Sequence, residues 1–538
     1  MFPVLPPPPK TPTSAAAPLK SKFLSVTLGF SWLLLHAVST CWGIDDGRSS
    51  IDIGLQKQLL VDDYSLAEMH NVRRELGTVK KVGVVLKPSL PTDFVERNGK
   101  RIAVHMALYL TVVRNEKDDK FQMWYLSTSD NGVGYDLSTN DNGVAYAESR
   151  DGIHWEKPLV SKDGKSNIVL DAIEFGCTID PTVPWGAPDK YKIACRPIGT
   201  AGDDCAVHLA YSADGIHWKW YNNRRRVTHR AADTHSQIFW DPLRSQYRLT
   251  TRTDGAKRGE PEYRTVRIMY HDQGNDLLKY PAAWKTVKDR IAIDDPTDEG
   301  YAGSSTQKRQ FHHITCWFYE GIYFGIMNVL ETTPANGKTH WGGDFETRFE
   351  EDVAEYYIGT SRDGLNFDKS WVHARKPFVP RGPPGSFDKD NVTPSSQIIT
   401  HNDEHWIYYN GMNERFFVAG LRQSRVGLAK LRLDGFVCLE ANDDPGFVVT
   451  RPFVLQGDAL EVNVDAVRGS IAVEVLDESG RPISGFSKSE AILYRGENQL
   501  RLRPLWAEQP DLSVLRGRLV RLKFHIRNAK LYAFQVVR

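Results

Sequence analysis

Six acidic residues stand at or next to the start of alternating apolar runs, where a strand would hold a carboxyl group rigidly. Asp93 and Glu96 precede the run at Ile102, and Glu174 precedes Phe175. Asp180 opens an Asp-Pro step, Asp233 comes directly before Thr234-His235-Ser236-Gln237-Ile238-Phe239, and Asp390 precedes Thr393-Pro394. His105, His235, Arg309 and His312 lie on or beside the same runs and can donate hydrogen bonds to hydroxyls or carboxylates. Paired carboxyl groups suit general acid–base work. On a sugar acetal they act ~5–5.5 Å apart with retention, or ~6.5–9.5 Å apart with inversion. Each residue also has a plainer role open to it: a surface loop for Asp93 and Glu96, a turn start for Asp180, a loop closed onto backbone amides for Asp233, a satisfied core histidine for His312. Other chemistries lack their signatures. There is no Gly-x-Ser-x-Gly elbow, no His-Glu-x-x-His and no phosphate-cradling glycine loop. His312 and His313 are neighbours on a strand, whose side chains point to opposite faces, so they do not read as two ligands of one metal.

The elements that must position these groups are strands, and they repeat. Ser149-Arg150-Asp151-Gly152-Ile153-His154-Trp155 returns as Ser212-Ala213-Asp214-Gly215-Ile216-His217-Trp218, and again as Ser361-Arg362-Asp363-Gly364-Leu365-Asn366-Phe367. Each copy ends an alternating run and reads as a hairpin turn whose aromatic packs back on the sheet. Around these turns the chain divides into five units of a strand, a polar hairpin, a Tyr- and Trp-rich strand and a closing pair. Their first strands are expected at Ile102–Val113, from Phe175, at Thr234–Trp240, at Phe311–Phe318 and at Gln397–Thr400. The third unit lacks a clean Asp-Gly turn, and the Glu320-Gly321 tip of the fourth is expected to face solvent. Five four-stranded units spaced ~50–80 residues apart point to a β-propeller, because one such sheet cannot bury both faces alone. After Asp443-Asp444-Pro445-Gly446 the strands alternate strictly, as in Leu460–Val464 and Leu519–Phe524, which predicts a β-sandwich. The fold class is therefore all-β, a five-bladed β-propeller over 44–440 followed by a C-terminal β-sandwich over 446–538. Leu59-Leu60-Val61 reads as a short strand, and Asp62-Asp63 as turn caps on the strand that closes the ring.

The 538 residues carry a formal charge of +1, so no global field recruits nucleic acid. Six cysteines without CxxC spacing argue against a zinc ribbon or redox pair. Cys177, Cys195 and Cys205 are close enough in sequence for a disulfide, with buried free thiols the plainer alternative. Residues 1–43 read as a leader: a Pro-rich stretch, Lys20 and Lys22, an apolar run from Phe23 to Ala37, then small residues. That resembles a secretory signal and is shorter than the ~20 residues of a membrane span. Export to the periplasm or medium is expected, with no membrane span once the signal is removed.

The layout, together with Leu60-Val61-Asp62-Asp63-Tyr64, the Ser-Arg-Asp-Gly turns and Gly427-Leu428-Ala429-Lys430-Leu431-Arg432-Leu433-Asp434-Gly435-Phe436, resembles the five-bladed glycoside hydrolases of families thirty-two and forty-three, in the form of exported planctomycete-type proteins. The resemblance implies a funnel into which the N-terminal ends of the five first strands point, and a poly- or oligosaccharide substrate. It implies Asp233 as general acid, in a place where the family carries Glu, and a base or nucleophile among Asp93, Glu96, Glu174 and Asp180. It implies sugar contacts from His235, Arg309, His312, His105 and Asp390. Asp180-Pro181 resembles the Asp-Pro step of a carboxylate that tunes the acid. The Trp-Met-Asn-Asp-Pro-Asn, Arg-Asp-Pro and Glu-Cys signatures of family thirty-two do not occur, which removes fructan cleavage from the expectation. No cofactor is expected, and a structural Ca2+ would find suitable oxygens in the funnel. A carbohydrate-binding or interaction propeller without turnover is the rival, separated from the enzyme by whether two carboxyls face each other across the funnel.

Overall fold

The computed structural model describes residues 49–538 apart from 98–99, 104, 107, 131–134, 137–141, 201–205, 229–233, 254–264, 274–275, 278, 280–281, 296–308, 333–351 and 416–423. The leader, and Cys41 and Cys205, lie outside them. The protein is almost entirely β, as the alternation predicts, with one short helix, Ser370–His373, among the described residues.

Five antiparallel meanders follow one another. The first consists of Thr111–Asn115, Lys120–Asp130, Gly143–Ser149 and Ile168–Leu170. The second is Ala172–Ile179, Tyr191–Pro197, His208–Ser212 and Trp218–Trp220; the third is Gln237–Asp241, Gln246–Thr253, Thr265–His271 and Trp284–Ile291. The fourth has Arg309–Tyr319, Ile322–Thr332 and Asp352–Ser361. In the fifth the first strand is split into Asn391–Pro394 and Ile399–His401, followed by Glu404–Met412 and Ser424–Arg432. Its outer strand, Lys80–Leu86, comes from before the first meander. Two expectations shift here. The first strand of the first meander starts at Thr111, because Phe94–Arg97 and Lys100–Ala103 pair with each other as a separate hairpin. The strand that closes the fifth meander is Lys80–Leu86; Asp62 instead caps the turn at Tyr64 and binds Arg362, and Asp63 binds Arg74.

The repeated Asp-Gly turns follow the third strands of the first, second and fourth meanders and clamp neighbouring meanders. Within each, the aspartate accepts the amides two and three residues on: Ile153 and His154, Ile216 and His217, Leu365 and Asn366. The glycine carbonyl then accepts from the preceding meander. Trp124 donates to Gly215 (2.7 Å), Arg248 to Gly364 (2.5 Å), and Tyr408 of the fifth meander to Gly152 of the first (2.7 Å). Gly215 holds φ +80°, and a Cβ there would lie 2.5 Å from the Trp124 ring, so both the turn and the clamp require glycine.

The five first strands also meet. The Cys177 amide donates to Thr111 Oγ1, whose hydroxyl shares a hydrogen with that of Ser396. Gln237 donates to the carbonyls of Cys316 and Ser396 and accepts from the Cys316 amide. Second and third strands approach so closely that a Cβ on Gly176 would sit 2.5 Å from the Ser236 carbonyl. One residue from each meander thus enters a single polar belt.

Two six-stranded sheets complete the chain. One contains Arg73–Leu76, Val437–Ala441, Ala529–Val537, Ala459–Asp465 and Asn498–Leu502, with Gln58–Leu59 at its side. The other contains Leu66–His70, Gly446–Thr450, Leu519–Arg527, Ser470–Asp477 and Tyr494–Arg495, with Phe453–Val454 added. Val462, Leu531 and Phe534 of the first share a core with Val473, Leu522 and Phe524 of the second. Gln58–Leu59, Leu66–His70, Arg73–Leu76 and Val437–Ala441 thus pair into the same sheets as the C-terminal strands. Residues Asp46–Arg538 form one compact unit. The Glu320 tip is docked rather than free, with Lys57 3.8 Å from its carboxylate and the neighbouring Tyr319 hydroxyl donating to Asp434 (2.7 Å).

Candidate active site

On the N-terminal side of the belt, Tyr109, His235, His312 and His313 come together. His235 is buried, and neither ring nitrogen has a hydrogen-bond partner. Its ring centroid lies 4.8 Å from that of His313 and 6.0 Å from that of Tyr109. Burial holds the imidazole neutral, its pKa pushed down to about 3. His312 stacks on Tyr109 (6.3 Å), and its Nδ1 faces Asn328 Oδ1 at 3.2 Å. The register slips between Phe311 and His313, so a bulge replaces regular alternation. The two neighbouring histidines do not diverge as expected: their Nδ1 atoms are 3.4 Å apart. Burial also depresses His313, with His235, His312 and Arg252 adding repulsion.

The acidic candidates separate into distinct places. Glu174 stands on this side, at a bulge between Ile173 and Gly176, in the left-handed region (φ +54°). Arg196 holds it bidentately at 2.6 and 2.7 Å, and its carbonyl accepts the Ser236 amide at 3.3 Å. That makes it the described sequence-predicted carboxylate tied most directly to the strand carrying His235. Asp233 lies outside the described residues, as do the side chains of Glu96 and His105. Asp93 is buried against Lys157 (2.6 Å) and accepts the amides of Ser89 and Leu90. Asp390 meets Lys389 at 2.6 Å, with Arg415 and Arg381 at 3.8 and 3.9 Å. Arg309 is engaged by Glu331 (2.6 Å) and Asp295 (3.1 Å).

Asp180 lies at the opposite end of its strand from Glu174. Its carboxylate takes Lys192 at 2.5 Å, the Tyr247 hydroxyl at 2.5 Å and Thr182 at 2.6 Å. Asp241 occupies the same place in the third meander and accepts Tyr323 of the fourth, and Asn115 in the first meander donates to Tyr191 of the second. Asp180 is one of three such ties between consecutive meanders.

Two residues escaped sequence reasoning. Asn328 is fully buried, and its amide nitrogen reaches the carbonyls of Glu355 (3.3 Å) and Val392 (3.4 Å). Glu355 is buried with one oxygen on Arg381 at 2.5 Å and the other unpartnered, and burial raises its pKa. Both are polar letters inside otherwise apolar strands, the signal that could have found them. Among the described residues no group of three or more His, Cys, Asp or Glu is arranged to hold a metal ion. Cys177, Cys195, Cys316 and Cys438 are free and buried.

No family model matches the chain, and no curated protein does. Among solved structures it is similar to glycoside hydrolases. A glycosyl hydrolase from Bacteroides ovatus aligns at 13% identity over 66% of this chain and 94% of that one, with a TM-score of 0.39. The GH32 beta-fructofuranosidase of Bombyx mori aligns at 12% identity over 85% and 94%, also at 0.39. A thermostable family-43 glycoside hydrolase aligns at 13% identity over 60% and 90%, at 0.34. Overlap at that level carries no argument about chemistry, which rests on the residues above.

Proposed function

We propose that the protein is an exported, five-bladed β-propeller glycoside hydrolase with a β-sandwich behind it, acting on a poly- or oligosaccharide at the N-terminal ends of its first strands. The meander-to-meander contacts, running from first to fifth and back to the first, support five blades. The observation that carries the sugar reading is a set of buried polar atoms that have no partner among the described residues, on or just before the first strands of the third, fourth and fifth meanders: Thr234 Oγ1, both nitrogens of His235, Gln310 Nε2, His313 Nε2, Thr315 Oγ1, Asn391 Oδ1 and Thr393 Oγ1. Leaving such groups unpaired costs about 1–3 kcal/mol each. A ligand rich in hydroxyls, each both donor and acceptor, matches that need. Asp233 would give the proton to the leaving oxygen, and Glu174, ion-paired with Arg196, would be the opposing carboxylate. No helix among the described residues is long and apolar enough to cross a membrane.

A second reading, saccharide binding without turnover, is favoured by one observation: Asp93, Glu174 and Asp390 each already hold a cation at 2.6 Å. A panel of plant and algal glycans, assayed for cleavage and binding with wild type and Asp233→Asn, separates the two. Cleavage that falls about 10²–10⁴-fold in Asp233→Asn supports hydrolysis. Binding without cleavage by either protein supports the second reading, and neither binding nor cleavage removes both.

A further inference from the structure

Asn328 sits between the fourth and fifth meanders with its amide orientation fixed. The nitrogen can only donate, and it faces two backbone carbonyls, those of Glu355 and Val392. The oxygen can only accept, and it faces His312 Nδ1 at 3.2 Å. His312 must therefore carry its hydrogen on Nδ1. The bulge brings His313 Nδ1 to 3.4 Å from that same atom. A second N–H pointing at the first would repel it, so His313 must present a lone pair at Nδ1. Being neutral, its ring then carries the hydrogen on Nε2, and this buried nitrogen has no partner.

We propose that Asn328 is a positioning residue that sets the tautomers of the His312–His313 pair, so that His313 Nε2–H is held ready to donate to an acceptor oxygen of a bound sugar. The proposal rests on the saccharide reading for the identity of the acceptor, and on Asn328, His312 and His313 alone for the tautomers. The groups facing this pair are His235, Tyr109 and the Arg252 guanidinium, which itself donates to Gln310 (2.6 Å). None of these three is an acid, and the Arg252 guanidinium disfavours a second proton on His313. A nitrogen that carries its hydrogen donates to a ligand oxygen and offers no lone pair to a cation.

Long-range nitrogen–proton NMR of imidazole-labelled wild-type protein reads the tautomers directly. The expected spectrum gives His312 with its hydrogen on Nδ1 and His313 as the Nε2–H form, His313 uncharged at pH 6. Asn328→Ala should give averaged shifts for both rings in a protein whose other histidines are unmoved. Wild-type His313 as the Nδ1–H form, or charged at pH 6, overturns the proposal whether or not any sugar binds. On a glycan from the panel, His313→Gln, which keeps an N–H near the Nε2 position, should retain affinity within about 3-fold. His313→Phe should lose about 10-fold or more, the scale of one hydrogen bond left unmade. Equal affinity of both variants would remove His313 as the donor while leaving the saccharide reading intact. If wild type binds no glycan, that reading fails while the NMR result still decides the tautomers.

Discussion

Replacing Asp180 by alanine strips the partner from Lys192, whose side chain is 0% exposed. Breaking a buried pair costs about 3–5 kcal/mol, because a charge remains without compensation. Two features of this site favour the lower end. Asp189 stays 3.1 Å from Lys192, and the Tyr247 hydroxyl keeps Thr182 at 3.1 Å. About 3 kcal/mol is expected. Unfolding entropy of about 2.1 cal/mol/K per residue makes about 1 kcal/mol per degree if Asp46–Arg538 melts as one unit, so Tm should fall by about 3 °C. A larger fall would mean that the second and third meanders melt as a smaller unit. Burial alone would raise the Asp180 carboxyl, but Lys192 outweighs it and the pKa is lowered. The stabilisation is then complete above the ordinary value of about 3.9, and is lost as pH falls through the lower folded value. The gap in Tm between wild type and variant should begin to narrow below about pH 4. Calorimetry at pH 7 and pH 3, with glycan turnover at 25 °C, tests both parts. Turnover should hold, since the carboxylate lies ~20 Å along the strand from Glu174. Lost turnover with an unchanged Tm would refute the argument and return Asp180 to the chemistry.

Gly215→Ala should cost about 2–4 kcal/mol, from left-handed backbone strain and the clash with Trp124. A near-wild-type urea midpoint would mean that the Asp-Gly turn is not a clamp. For the Asp214 and Asp363 turns, burial opposes ionisation, but the amides and side chains they accept from bring both to about 2. Stability from them is present above about pH 4 and fades toward pH 2, so Asp214→Asn should flatten the fall of Tm with acid. An unchanged slope counts against it.

The repeating units were legible because alternation and the Asp-Gly turn are local: five letters and a following aromatic specify a hairpin wherever it later docks. What those turns dock on was not legible, since the Trp124, Arg248 and Tyr408 partners come from another meander each time. The same limit hid the contribution of Leu66–His70 and Arg73–Leu76 to the last two sheets. These are edge strands rich in charge, with no alternation to announce a buried face. Asp180 was legible as an acid beside a strand but not as one of three ties: Asp241 repeats its Asp-Pro step, yet the tyrosine each one binds comes from the next meander.

The candidate site shows why a wall of histidines was harder to read than a pair of acids. Alternation assigns His312 and His313 to opposite faces, and only an inserted residue reverses that. A bulge has no letter of its own here: Phe311-His312-His313 is compatible with a regular strand, and the slip is stabilised from outside, by Asn328 on the next strand and Tyr109 from another meander. Once the slip is made, both rings share one buried space with His235, and burial keeps His235 and His313 neutral there. Among the described residues, the N-terminal ends of these strands thereby carry more uncharged donors and acceptors than acids. Among the described carboxylates, Glu174, tied through its carbonyl to Ser236 and paired with Arg196, is the nearest to His235 by backbone connection.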